Sequence, residues 1–324
     1  MGWYVVRRVA QAIGVLWAAY TVSFVVLDLL PGDPVTAMAA GGLEANAVTE
    51  ERLAELRAQY GFDRPIWQQY LDSLWRALHG DFGHSVANGQ SVTAGIFEAL
   101  PPTLQLAGSA LLLATVFGGG LALVATATSA RWLRQGLLSL PSFGVSVPTF
   151  WVGLMLVQFF SFRWRIFPAF GNDGLPGLVL PAVTLAIPTG ALVAQVLAKS
   201  LLSTLDEPYI VTARAKGAGV ARVHLRHALR NAALPTLALL GVIAGQVIAG
   251  AVVVETVFSR DGIGRLTAQA VTVQDIPVVQ GIVVFGALVF VTINLIVDLI
   301  SPLLDRRIVL GDSTGGVAEA GSAA

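Results

Sequence analysis

The stretch LPTLALLGVIAGQVIAGAVVV, residues 234–254, contains no Asp, Glu, Lys, Arg or His. A helix of that length covers the ~30 Å of hydrocarbon in a bilayer. Soluble cores seldom bury so long a run without a charge. Five further stretches read the same way, at 9–27, 103–128, 137–160, 178–198 and 277–297. Together they predict an all-α polytopic membrane protein with about six transmembrane helices. Composition agrees: 55% of the 324 residues are hydrophobic and 12% are charged, where a soluble domain carries about 25% charged residues. Twenty basic and twenty acidic side chains cancel, so net charge points to no nucleic-acid partner. Cysteine is absent, which removes disulfides and thiolate metal sites.

The first stretch follows Arg7 and Arg8, as a signal peptide would. Its apolar region is longer than the usual ~7–15 residues, and Asp28-Leu-Leu-Pro31 follows in place of a small-residue cleavage site. It reads as a retained span. With the N-terminus placed inside, twelve basic residues fall in inner segments: Arg7, Arg8, Arg131, Arg134, Lys199, Arg214, Lys216, Arg222, Arg226, Arg230, Arg306 and Arg307. The two short outer loops hold four, Arg163, Arg165, Arg260 and Arg265. Positive charge collects on the inner side, so both termini are expected in the cytoplasm. Trp151, Trp164, Phe167 and Phe170 suit an outer aromatic belt.

Four regions follow: the N-terminus and first span at 1–30, an outer helical segment at 31–101, a five-span membrane domain at 102–308, and a small polar tail at 309–324 expected to be disordered. The outer segment carries nine acidic residues against four arginines. Thr49-Glu50-Glu51 reads as a helix start, with Leu53, Leu56 and Tyr60 on one face. Pro65 reads as the opening of a second helix, whose apolar face is Trp67, Leu71, Leu74, Trp75 and Leu78. The segment is expected to cap the outer surface.

Several motifs fail. Neither lysine, Lys199 nor Lys216, follows the glycines of a phosphate loop, so no nucleotide site is expected in this chain and no cofactor. Asp81-Phe82-Gly83 spells the kinase metal triplet without a catalytic loop around it. Gly262-Ile263-Gly264 lacks the third glycine and the preceding strand of a dinucleotide fingerprint, and reads as a turn. His224 and His227 have a metal-compatible spacing, but Arg222, Arg226 and Arg230 beside them would repel a cation; the set reads as a basic surface. No catalytic or metal-binding residue is expected. Ion-driven transporters place costly ionisable groups within their spans. Here Asp28, Glu255 and Asp298 stand only at the ends, so the energy for any transport is expected to come from elsewhere.

The segment 205–235 between the fourth and fifth stretches is the most informative. Asp206 suits a cap and Pro208 a first turn. Gly217 and Gly219 break the helix, and a second, basic helix then leads to Leu234-Pro235. Such a hairpin suits docking in a partner's groove. Ala213-Arg-Ala-Lys-Gly217 followed by His227-Ala-Leu-Arg-Asn-Ala-Ala-Leu-Pro235 resembles the coupling loop of ABC importer permeases, in particular the peptide and nickel (dipeptide and oligopeptide) branch of the binding-protein-dependent transport inner-membrane family. Leu29-Leu-Pro-Gly-Asp-Pro34, Tyr60-Gly-Phe-Asp-Arg-Pro65, Gly80-Asp-Phe-Gly83, Pro148-Thr-Phe150, Val254-Glu-Thr-Val-Phe258, Gly262-Ile-Gly264 and Leu304-Asp-Arg-Arg307 extend the resemblance over about residues 1–308. Val211-Thr-Ala213 stands where general importer permeases have Glu-Ala-Ala, and Arg260-Asp261 where the branch often has a proline before Gly262.

The resemblance implies a type I importer fold and a transmembrane permease subunit that is not itself an enzyme. It implies alternating access coupled to two ATPase subunits that hold ATP and Mg2+, beside a second homologous permease, an extracytoplasmic solute-binding protein and the lipid bilayer. It implies coupling through Glu207, Tyr209, Val211, Ala213, Arg214, Ala215, Lys216 and Gly217. An outer-mouth turn is implied at Glu255, Gly262 and Gly264. Gln195, Gln246 and Asn294 are polar groups within spans and candidate pathway-lining residues, although such groups also join helices. Gly241 and Gly245 suit close helix packing. Short peptides are the first expectation for the solute, with nickel chelates or glutathione behind. The alternatives, an ion-coupled secondary transporter or channel and a membrane-embedded enzyme, require intramembrane ionisable residues that these spans lack.

Overall fold

The structure, a computed structural model, describes residues 2–28 and 63–304. The sequence motifs at 29–62 and 305–324, including the expected helix at Thr49 and the polar tail, lie outside them. Helix α1 is Gly2–Asp28, α2 is Ile66–Leu78 and α3 is Val92–Ala127. α4, Arg131–Ser146, is followed by α5, Thr149–Arg163, whose last turns from Val157 are a π-helix. α6 is Gly174–Leu205, α7 Pro208–Ala215, α8 Val220–Val257, α9 Ile263–Thr272 and α10 Ile276–Leu304. Among the described residues, strand pairing is limited to one isolated bridge, His84 with Ser91.

α1, α3, α6 and α8 are each long and apolar enough to cross a membrane. α10 has 29 residues, which at 1.5 Å per residue is about 43 Å. The third stretch departs from expectation. Instead of one straight span over 137–160, α4 and α5 meet at 99°. Pro148 explains the break: its ring pushes the preceding residue out of the helical region, and Val147 is extended at φ −89°, ψ 130°. Pro101 and Pro102 do not have this effect, and α3 runs through them from Val92.

The core is a packing of α3, α6 and α8. Leu106, Ala107, Ala110 and Ala114 of α3 meet Leu180, Ala182, Leu185 and Ala186 of α6 and Ile243, Val247, Ala251 and Val254 of α8. Between apolar helices in lipid, attraction comes from close packing of small residues rather than from the hydrophobic effect. Gly118 shows it most sharply: a Cβ there would overlap the carbonyl oxygen of Gly190. α1 stands outside this core and packs on α10. Gly245 of α8 faces the Phe290 ring of α10.

Candidate functional site

At one end of the core, α7 and the start of α8 form a helix–Gly–helix hairpin. Pro208 occupies the first turn of α7 and Glu207 the capping position, without a side-chain cap bond; Asp206 terminates α6 instead. The backbone N–H of Gly217 donates to Arg214 O at 2.9 Å, and Gly217 has φ +83°. Glycine alone takes that conformation without a Cβ penalty. Gly219 then opens α8.

One residue fixes the hairpin to the bundle. Ile210 is 0% exposed and joins Leu201, Leu205, Val223 and Ala228 in a second apolar cluster. Its neighbour Val211 is 60% exposed, and Arg214, Ala215, Lys216 and Gly217 are exposed with it. Ala213 is half-buried. Tyr209 is divided between two roles: its ring is exposed, while its hydroxyl accepts from Asn231 Nδ2 at 2.9 Å and donates to His227 O at 3.5 Å. It is therefore a strut between α7 and α8 as well as a surface group. His224 corrects the reading of a wholly solvated basic surface. It is buried in a π-helical turn, Val223–Ala228, with Nδ1 donating to Val220 O at 3.0 Å. No metal-holding cluster occurs among the described residues.

At the opposite end, Glu255 closes the turn that the Gly262-Ile-Gly264 motif marks. It is 0% exposed. Thr103 Oγ1 of α3 donates to its Oε1 at 2.7 Å, and the Gly264 backbone N–H donates to its Oε2 at 2.7 Å. Thr103 Oγ1 also accepts from Ile263 N at 2.9 Å. A Cβ on Gly262 would overlap the carboxylate, and one on Gly264 would overlap the Val252 backbone. The glycines are thus the space into which Glu255 fits, and the carboxylate pins α3, α8 and α9 together. Arg260 is buried as well, donating through a guanidinium NH2 group to Gly177 O at 2.9 Å. Burial lowers its pKa from the ordinary arginine value, against the opposing pull of Glu255 and Asp261. Arg260, of the Arg260-Asp261 pair that departs from the branch's pattern, thus reaches across to α6.

A second carboxylate, Asp275, is buried ahead of α10 and accepts from Ser85 Oγ, Val86 N at 3.2 Å and Ala87 N at 3.3 Å. It holds the turn that follows Gly80-Asp-Phe-Gly83 against the bundle.

The three candidate pathway residues are not brought together. Gln195 and Lys199, one turn apart on α6, line a cavity of about 270 Å³ whose other walls include Leu121, Ala125, Leu138 and Pro141. Gln246 is exposed on α8 and is not part of that wall. Asn294 falls within α10, with its side chain outside the described residues. Ile210, Thr103 and Asp275 were not singled out from sequence. Ile210 had no distinguishing signal, since apolar Tyr209 and Val211 flank it in the sequence. Thr103, 152 residues from Glu255, had none.

Comparison with known proteins gives the following. Residues 114–310 match the family described as binding-protein-dependent transport system inner membrane component. Residues 1–107 match the N-terminal family of the same systems' membrane component. A Sinorhizobium fredii protein named "Probable peptide ABC transporter permease protein" is 34% identical over 316 residues, 95% of this chain and 99% of that protein. The dipeptide transport system permease protein of Escherichia coli is 32% identical over 336 positions, 94% of this chain and 98% of that protein. A crystal structure of an amino acid ABC transporter with histidines aligns at a TM-score of 0.48 and 20% identity, over 66% of this chain and 94% of that one.

Proposed function

This chain belongs to the family of binding-protein-dependent transport system inner-membrane components, and we infer from that premise that it conducts short peptides into the cell. It is a permease subunit of a binding-protein-dependent importer, an all-α polytopic protein and not an enzyme. The peptide reading is supported by the names of relatives that align with almost the whole chain.

The hairpin carries the mechanistic reading. Ile210 anchors it, Tyr209 braces it, and Val211, Arg214, Ala215 and Lys216 are left facing away from the bundle. This is the form of a surface that receives force. Two ATPase subunits holding ATP and Mg2+ dock on the cytoplasmic loops of the paired permeases, this hairpin among them. A second homologous permease completes the pathway, and a solute-binding protein delivers peptide from the other side. The hairpin end faces the cytoplasm with both chain termini, and the Glu255 end faces outward. When the ATPases close, α7 moves, and α6 and α8 move with it because Ile210 is packed between them. Since α8 also carries Glu255, that movement reaches the outer turn.

Two measurements test this. A P-loop ATPase should co-purify with the chain from mild detergent. The complex, reconstituted in vesicles with its binding protein, should take up labelled dipeptide only with ATP. Uptake driven by an ion gradient without ATP would overturn the reading.

A further inference from the structure

α2 has three faces. Tyr70, Ser73, Leu74 and Ala77 turn toward α1 and are half-buried. The Tyr70 ring packs 5.9 Å from Tyr20 and 5.4 Å from Phe24, and its hydroxyl shares a 2.8 Å hydrogen bond with Thr21. A second face is polar: Gln68, Asp72 and Arg76, with Asp72 accepting from Arg64 at 2.9 Å. The third is apolar and uncovered. Trp67 is 62%, Leu71 53%, Trp75 66% and Leu78 71% exposed. At 100° per residue these four lie within one 80° sector, between the face that turns toward α1 and the polar face.

Depth decides what covers that stripe. Tyr20, Thr21 and Phe24 are four to eight residues before the end of α1 at Asp28, which is about 6–12 Å back along the span. The Tyr20 hydroxyl is buried beside Ser73 of α2 and Gln280 of α10, and Gln280 is itself four residues inside the start of α10. Two spans therefore give the same level. α2 lies at the edge of the hydrocarbon and not above it. Its stripe continues the lipid-facing surface of α1, where Trp17, Val22, Val25 and Val26 are exposed.

We propose that α2 is an in-plane membrane anchor, with Trp67, Leu71, Trp75 and Leu78 inserted into the outer leaflet at the boundary between headgroups and acyl chains. An amphipathic helix of this kind buries its apolar face to about 5–10 Å, matching the level set by Tyr20. Indoles favour this zone because the ring is apolar and its N–H stays near water. Asp72 and Arg76, about 100° and 140° round the helix from the middle of the stripe, then lie on the side away from the acyl chains. The anchor holds the outer end of α1 through Tyr70.

The absence of cysteine makes the test direct. Single Leu71→Cys, Leu78→Cys and Asp72→Cys variants of the full-length chain, in its isolated complex, are spin-labelled and reconstituted into phosphatidylethanolamine–phosphatidylglycerol vesicles. Collision with oxygen, which partitions into lipid, is compared with collision with a water-soluble nickel chelate. Labels at positions 71 and 78 should favour oxygen several-fold over the chelate, and the label at 72 should show the reverse. Chelate access at 71 and 78 equal to that at 72 would put the stripe in water and overturn the proposal. Labels at both positions that are immobile and shielded from both reagents would mean protein covers it, which overturns it equally. The readout needs neither ATP nor solute, so it stands apart from the test of peptide import.

Discussion

Substituting Gly264 by alanine adds one methyl group at the place where α9 touches α8. Gly264 has no left-handed backbone to relieve, so the whole effect is spatial. Its new Cβ would overlap Val252 Cα, stand 2.8 Å from Glu255 Oε2 and 3.0 Å from Val252 N. Val252 belongs to the backbone of α8 and cannot rotate away. α9 must retreat by on the order of 1 Å, since packed interiors leave no slack. That retreat breaks the 2.7 Å bond from Gly264 N to Glu255. Overpacking costs about 1–3 kcal/mol, and a lost hydrogen bond to a buried charge costs about 1.5–3 kcal/mol. The expected destabilisation is about 2.5–6 kcal/mol if the two contributions add. Gly217→Ala is the control. Open space surrounds Gly217, so only the left-handed backbone is strained, at about 1–2 kcal/mol. The assay is thermal unfolding of the detergent-solubilised chain, followed by size-exclusion profile after heating. Gly264→Ala should melt well below Gly217→Ala. Equal melting of Gly264→Ala and the parent would refute the claim that Glu255 pins α9 to α8 through the space left by that glycine.

Gly217→Val should leave membrane abundance near normal while lowering peptide uptake per ATP hydrolysed in the reconstituted complex; normal coupling would remove the hairpin from the mechanism. Ile210→Ala should destabilise the chain by about 2–5 kcal/mol, measured by thermal unfolding, whereas Val211→Asp should leave the melting unchanged and weaken ATPase co-purification. Ala87→Cys should react with an impermeant thiol reagent applied outside intact cells and Ala221→Cys only after the inner face is opened, with the opposite pattern reversing the orientation assigned from the arginines. The purified single chain should hydrolyse no ATP, as a radiolabelled-phosphate release assay would show.

The membrane character of the chain and the general position of its spans were legible from residues alone, because insertion into lipid depends on the summed transfer free energy of a contiguous segment. That quantity is local, and so is the conformational demand of a turn: Gly217 was readable as a helix break, and its φ of +83° bears this out. The bend between α4 and α5 was partly legible in Pro148, but not its 99° angle. An apolar count is blind to direction, and Pro101 and Pro102 leave α3 unbroken. Burial of His224 and the anchoring role of Ile210 depend on which side of a short helix meets the bundle, and that is settled by packing against α6. The pairing of Glu255 with Thr103 lies furthest from the sequence. One motif showed an acid and two glycines at a turn after the fifth apolar stretch. Only the packing of α3 against α8 brings a hydroxyl from 152 positions away to the carboxylate, because a buried charge must be satisfied by whichever donor the fold places in reach.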